Sequence, residues 1–138
     1  MKTSTTLIKV RGYDLDVYQH VNNARYLEYL EAARWDYIEA FFQKGIFEEN
    51  NFGIAVVRIN IRYRQPAFFG DLLEIATKEK DRNRISATMT QSITRQSDGK
   101  RVADAEVTFV VTDLTTGRAL PVDERMDYFL SNGQFPDS

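Results

Sequence analysis

Apolar and polar positions change period along this chain, and the changes divide it into elements. Over Thr5–Arg11 the side chains alternate, with Thr6, Ile8 and Val10 opposite Leu7, Lys9 and Arg11. A period of two predicts a short strand. From Ala24 to Phe42 the spacing lengthens, and Tyr26, Leu30, Ala33, Tyr37 and Phe41 recur at steps of three and four. That is one face of a helix, widened by Leu27 and Ile38, with Arg25, Glu28, Glu31 and Glu39 pointing outward. No Gly or Pro interrupts it, and Gly45 stands beyond it as a stop signal. At 1.5 Å per residue such a helix is roughly 28 Å long, enough to lie along a whole sheet.

After the helix the period returns to two. Val57, Ile59, Ile61 and Tyr63 alternate with Arg58, Asn60, Arg62 and Arg64, and Pro66 ends the strand. A turn over residues 66–71 leads to a strand from Leu72 to near Lys80, and Asp81–Arg84 reads as a hairpin turn. Ile85 to Thr94 alternates again, Ser97-Asp-Gly-Lys100 carries the Asp-Gly hairpin signal, and a fifth strand covers Arg101–Asp113. Thr115–Gly117 turns toward a short sixth strand, and Val122–Leu130 predicts a last helix capped by Asp123. One strand, one long helix and an antiparallel meander make an α+β layout in one domain, residues 1–138.

Composition mainly excludes. There is no cysteine, hence no disulfide framework, Cys-ligated zinc or thiol nucleophile, and the one histidine, His20, cannot build a multi-His metal centre. No G-x-S-x-G elbow and no glycine-rich phosphate loop occurs. A net charge of −2 gives no general reason to bind nucleic acid. No apolar run reaches the ~20 residues of a membrane span, and the first ten residues lack a signal-type apolar core, so the expectation is cytoplasmic.

The chemistry concentrates between the first strand and the helix. Val10–Tyr26 holds Asp14, Asp16, His20, the pair Asn22-Asn23 and three tyrosines. Asn is a favoured N-cap, and the free N–H groups of a first helical turn can receive an anion or a developing oxyanion. A carboxylate beside such a turn can attack a carbonyl or activate water. Asp and Asn also gather in turns and caps for purely local reasons, and spacing alone favours that plainer reading.

The pattern D-x-D-x-x-x-H-V-N-N-x-x-Y, met by Asp14 through Tyr26, resembles the catalytic segment of the hotdog-fold thioesterases of the 4-hydroxybenzoyl-CoA thioesterase family. Within it the run is most similar to the bacterial long-chain acyl-CoA thioesterases of fatty-acid degradation. The Pro66…Gly70-Asp71 turn and Ala105–Phe109 extend the likeness over nearly the whole chain. The resemblance implies a hotdog fold, a curved antiparallel sheet wrapped around one long central helix, and hydrolysis of fatty or aromatic acyl-CoA.

By that resemblance Asp16 is the nucleophile or general base. His20 either orients water or the thiolate or merely ties the loop, and the Asn23 backbone N–H is the oxyanion donor. In the plant acyl-carrier-protein thioesterases an Asn stands where this chain has Tyr18, so the chain departs from the Asp-x-Asn-x-His pattern at that position. Asp14 is assigned a structural role with Arg11 or Arg25. Tyr26, Arg64 and Arg82 are assigned to substrate binding, the two arginines at the nucleotide end. Trp35 is placed in the core, while Phe68, Phe69 and Tyr29 line an acyl channel or complete the core. No cofactor or metal is expected. The partners implied are acyl-CoA and further copies of the chain, as a homodimer or homotetramer with sites at the interface, without nucleic acid or membrane. The rival reading is a non-catalytic acyl-CoA or acyl-carrier-protein binding module on the same fold; a hydratase is weaker, because its loop motif is missing.

Overall fold

The computed structural model describes residues 2–137. Five antiparallel strands form one sheet: β1 (Thr3–Lys9), β2 (Phe52–Tyr63), β3 (Leu72–Arg82), β4 (Ala87–Arg95) and β5 (Arg101–Asp113), in the order β1-β3-β4-β5-β2. Helix α1 (Asn23–Phe41) packs along β1 and β3, α2 (Ile46–Glu49) is a single turn before β2, and α3 (Glu124–Asn132) closes the far end. A 3-10 turn at Gly12–Asp14 opens the loop between β1 and α1.

The helix forms where the period predicts it. Asn22 caps it, its side-chain oxygen accepting from the Ala24 N–H at 2.9 Å, and the buried face is Tyr26, Tyr29, Leu30, Ala33 and Tyr37. That face meets Leu73, Ile75, Ile93, Val102 and Val107, the inward side chains of the sheet. Midway along, Gln91 is 1% exposed yet fully used. Its amide donates to the Leu30 carbonyl at 2.9 Å and to Thr77 Oγ1 at 3.0 Å, while Arg34 donates to its oxygen at 3.1 Å. Leaving such a group unpaired would cost about 1–3 kcal/mol, so the network fixes the height of α1 over the sheet.

The second end is aromatic. Phe129 and Phe135 stack at 4.7 Å, with Phe42, Phe47 and Phe52 around Phe129. Gly133 permits this closure: its φ is +73°, and a Cβ there would lie 1.9 Å from the Phe41 carbonyl oxygen. Asp123 caps α3 as predicted, accepting from the Met126 N–H at 2.8 Å.

Several expectations are corrected. The sixth strand reduces to one isolated bridge, Thr112 with Ala119. Gly45 does not end α1, which stops at Phe41 with Phe42 as its C-cap; Gly45 adopts φ +81° and starts α2, which the periodicity missed. Trp35 is 60% exposed and is not core. Two helical steps of 100° carry it about 200° round from Ala33, off the buried face. Strand β2 begins at Phe52 rather than Val57, and a bulge falls at Val57. Ile54 and Val56 face inward before it, and Ile59, Ile61 and Tyr63 resume the inward phase after it. Among the described residues only one side of β2 is paired.

Candidate active site

The loop between β1 and α1 is stitched on all sides. Asp16 N donates to His20 O at 2.8 Å, and Gln19 N to Asp16 O at 3.1 Å, with Gln19 at φ 65° to make so tight a return. Val21 N bonds Ala67 O, and His20 bridges Phe68, so the loop is sewn onto the turn after β2. That turn is itself held by Asp71, which accepts from the Phe68 N–H at 2.9 Å, and by Gly70 at φ +83°.

Within this frame the half-buried Asp16 points one carboxylate oxygen inward. Oδ1 accepts from the N–H of Tyr18 at 2.9 Å and more distantly from that of His20 at 3.4 Å. Oδ2 accepts nothing among the described residues. The carboxylate is thus oriented through one oxygen and open through the other. The His20 ring lies edge-on to Phe68 at 5.2 Å, with no hydrogen bond from either ring nitrogen among the described residues.

Asn22 supplies the cap, while Asn23 opens the helix with its side chain exposed. The Asn23 N–H belongs to the first turn and has no acceptor among the described residues. Its carbonyl accepts from the Tyr63 hydroxyl at 3.1 Å, a contact across 40 residues of sequence. Tyr63 therefore braces the peptide at the head of α1. No local signal marks that role, because it exists only once β2 is laid beside the helix.

The other assignments divide. Tyr26 is 2% exposed, and its oxygen accepts from the Ala67 N–H at 3.1 Å. Burial, above all, raises its phenol and keeps it neutral. It supports the turn carrying Phe68 and is buried within the chain. Arg64 pairs with Asp104 on β5. Arg82 does not reach the loop: it bonds Glu79 at 2.7 Å and the Asp127 carboxylate and carbonyl at 2.7 Å, at the α3 end. Lys9 pairs with Leu72 at the opposite end of β3, ten residues and roughly 33 Å along the strand from Arg82. Within one chain the Arg82 guanidinium ties β3 to α3.

Asp14 is structural, as expected. Its carboxylate accepts from the Arg11 N–H at 2.9 Å and lies 3.7 Å from Arg25 Nε. Around the loop, large apolar side chains stay uncovered: Tyr13 and Tyr18 at 75%, Val17 at 87% and Phe69 at 69%. Among the described residues no His, Asp and Glu side chains gather in threes as a metal site.

This geometry has relatives. The model of the thioesterase-like superfamily matches residues 10–130. The chain belongs to the thioesterase-like superfamily. It is 51% identical to the long-chain acyl-CoA thioesterase FadM of Escherichia coli (strain K12) over 118 residues, 86% of this chain and 89% of the relative. Among solved structures, the probable thioesterase YbaW of Escherichia coli superposes with a TM-score of 0.86 at 48% identity, covering 92% of this chain and 96% of that one. A thioesterase of Thermus thermophilus, solved with coenzyme A and Zn, gives 0.74 at 28% identity over 90% of this chain and 94% of that one. These likenesses establish the fold of this thioesterase-like chain as the hotdog fold.

Proposed function

We propose that this chain hydrolyses long-chain acyl-CoA to the fatty acid and free coenzyme A at the loop end of α1. The observation that carries the reading is the half-used Asp16 carboxylate, held by backbone N–H groups through Oδ1 with Oδ2 open, on the same short loop as the free Asn23 N–H. The 51% identity to a long-chain acyl-CoA thioesterase supports the substrate class.

The chemistry needs little else. Oδ2 of Asp16 takes a proton from water as its oxygen bonds the carbonyl carbon, or attacks that carbon itself. In either case the carbonyl oxygen becomes an oxyanion opposite the Asn23 N–H, and the C–S bond then breaks to release the thiolate. In the first route the acid is formed at once and Asp16 passes its proton to the thiolate. In the second a mixed anhydride with Asp16 remains, which water hydrolyses to the acid and the free Asp16 carboxylate, its remaining proton going to the thiolate. One oxyanion donor of this kind commonly contributes ~10²–10³ in rate. The exposed Tyr18, Val17 and Phe69 supply apolar surface for the acyl group, and Phe68 backs His20.

The working unit in this proposal is a homo-oligomer. Strand β2, twelve residues long, has one edge unpaired among the described residues and exposes Ile54, Val56, Val57, Ile59 and Tyr63. An exposed apolar edge of that length invites pairing with another strand. A second copy of β2 fits it, and sedimentation as a monomer at micromolar concentration would overturn this part.

The decisive experiment is a panel from acetyl- to palmitoyl-CoA plus benzoyl-CoA, read by thiol release; with no cysteine in the chain, the reagent reports only coenzyme A. The expected result is turnover that rises with chain length. Asp16→Asn should lose about 10²–10⁴ in kcat, the contribution of a positioned base. Tight binding without turnover would replace the enzyme reading with a binding module. A single turnover in ¹⁸O water tests for the nucleophilic route, since direct attack by water places one ¹⁸O in the acid. A first acid free of ¹⁸O, with the label on Asp16, arises only if Asp16 attacks and water then cleaves the anhydride at the Asp16 carboxyl carbon.

A further inference from the structure

Asp14 is buried, with its side chain 6% exposed, and no step of the proposed hydrolysis uses it. A buried carboxylate must be compensated, and the groups that compensate this one come from both ends of the loop. Its Oδ2 accepts from the N–H of Arg11, at the exit from β1. Its main-chain carbonyl accepts from the N–H of Asn22, the cap of α1, at 2.8 Å. Arg25, in the first turn of α1, stands 3.7 Å from Oδ1, and is itself held by Glu28 at 3.2 Å and by the face of Tyr13.

Tyr29, one turn further on, completes the set. It is 7% exposed, and among the described residues its hydroxyl meets no partner at good hydrogen-bond geometry. Burial and then the adjacent Asp14 carboxylate raise its phenol, so it remains a neutral donor facing a charge. Lys9, Arg11, Asp14, Arg25, Glu28 and Tyr29 share a groove of about 340 Å³ between β1 and α1, and neither Asp16 nor His20 lines it. The cluster therefore lies behind the loop rather than in front of it.

The geometry points to Asp14, with Arg25 and Tyr29, as a positioning assembly that sets the register of the loop against the helix and so aims the Asn22–Asn23 peptide and Asp16 together. The residue that closes on Arg11 also grips the Asn22 N–H, so a shift of Asp14 moves both the carboxylate two residues on and the N–H at the head of α1. Its effect should appear in the transition state rather than in binding, because a displacement near 1 Å of reacting groups costs on the order of 10²-fold.

The inference rests on the proposed hydrolysis for its kinetic readout, and the test adds one that does not. Asp14→Asn keeps an acceptor for Arg11 but removes the charge shared by Arg25 and Tyr29. Palmitoyl-CoA turnover per folded molecule should fall about 10- to 100-fold in kcat with KM nearly unchanged. Arg25→Leu should fall similarly, Arg25→Lys should recover most of the loss, and Asp14→Asn with Arg25→Leu should be no worse than either alone. In ¹⁵N-labelled protein, the amide resonances of Asn22 and Asn23 should move in Asp14→Asn and in Tyr29→Phe, while those of α3 stay in place. A folded Asp14→Asn with unaltered kcat, or one that loses only melting temperature, overturns the proposal. If Asp14→Asn does not fold, Tyr29→Phe and Arg25→Lys decide by the same criteria. If the wild type hydrolyses none of the acyl-CoA esters, the enzyme reading fails; the amide resonances then decide the positioning claim, supporting it if they move and overturning it if they do not.

Discussion

The two ends of α1 differ in how they treat their polar groups. At its C-terminal end nearly every group is engaged: Phe129 and Phe135 stack, Arg125 covers the Phe135 ring at 3.9 Å, and Arg82 makes three bonds across β3 and α3. At its N-terminal end the backbone is just as tightly sewn, yet Asp16 Oδ2, the His20 ring and the Asn23 N–H have no partner among the described residues. Rigidity is common to both ends; what distinguishes the loop is polar capacity held in place and left unsatisfied. That combination marks a site, because preorganised groups act on a reacting atom without first being rearranged.

Substitutions at the two ends should therefore fail in different ways. Phe129→Ala should be the most damaging to stability, costing about 3–5 kcal/mol in urea unfolding, while kcat per folded molecule is retained. A loss of kcat in the folded variant would show that the ends are coupled. Arg82→Met comes next: it strips charged hydrogen bonds from a side chain 15% exposed, and should cost about 1–3 kcal/mol with KM for palmitoyl-CoA unmoved. A rise in KM would restore Arg82 to the nucleotide. Asn22→Ala is the smallest, about 1 kcal/mol in thermal melting. It should nonetheless lower kcat by more than that loss of fold implies, because the cap also precedes the Asn23 peptide.

What can be read in advance is local. The period places α1 to within a residue at each end, β5 over Arg101–Asp113, and the Asp123 cap of α3, since each depends on near neighbours. Asp16, His20 and Asn23 are legible as a group through the motif, although the open Oδ2 and the unbonded ring require coordinates. Contacts between distant segments are not legible. Nothing near Tyr63 announces a bond to Asn23, and nothing near Arg82 announces Asp127. Hydrophobicity alone puts Trp35 in the core, whereas its angular position on the helix already turns it outward. The motif alone assigns Tyr26 to substrate, whereas burial gives it the turn at Ala67 to hold.

The bulge at Val57 bears on how this sequence can drift. Surface loops usually absorb insertions and deletions, whereas strands do not, because one residue more or less exchanges their two faces. Here the extra residue lies between Val56 and Arg58, and the bulge takes it out of the pairing so that Val56 and Ile59, three apart in sequence, both face inward. Losing Val57 would leave Val56, Arg58 and Ile59 in plain alternation and the Tyr63 hydroxyl at the head of α1, whereas pairing Val57 in place of the bulge, with no residue lost, would turn Ile59, Ile61 and Tyr63 to the outer face. At this one position the strand can therefore lose a residue as a surface loop can, while a substitution that irons the bulge out would act, six positions away, like a change in the active site.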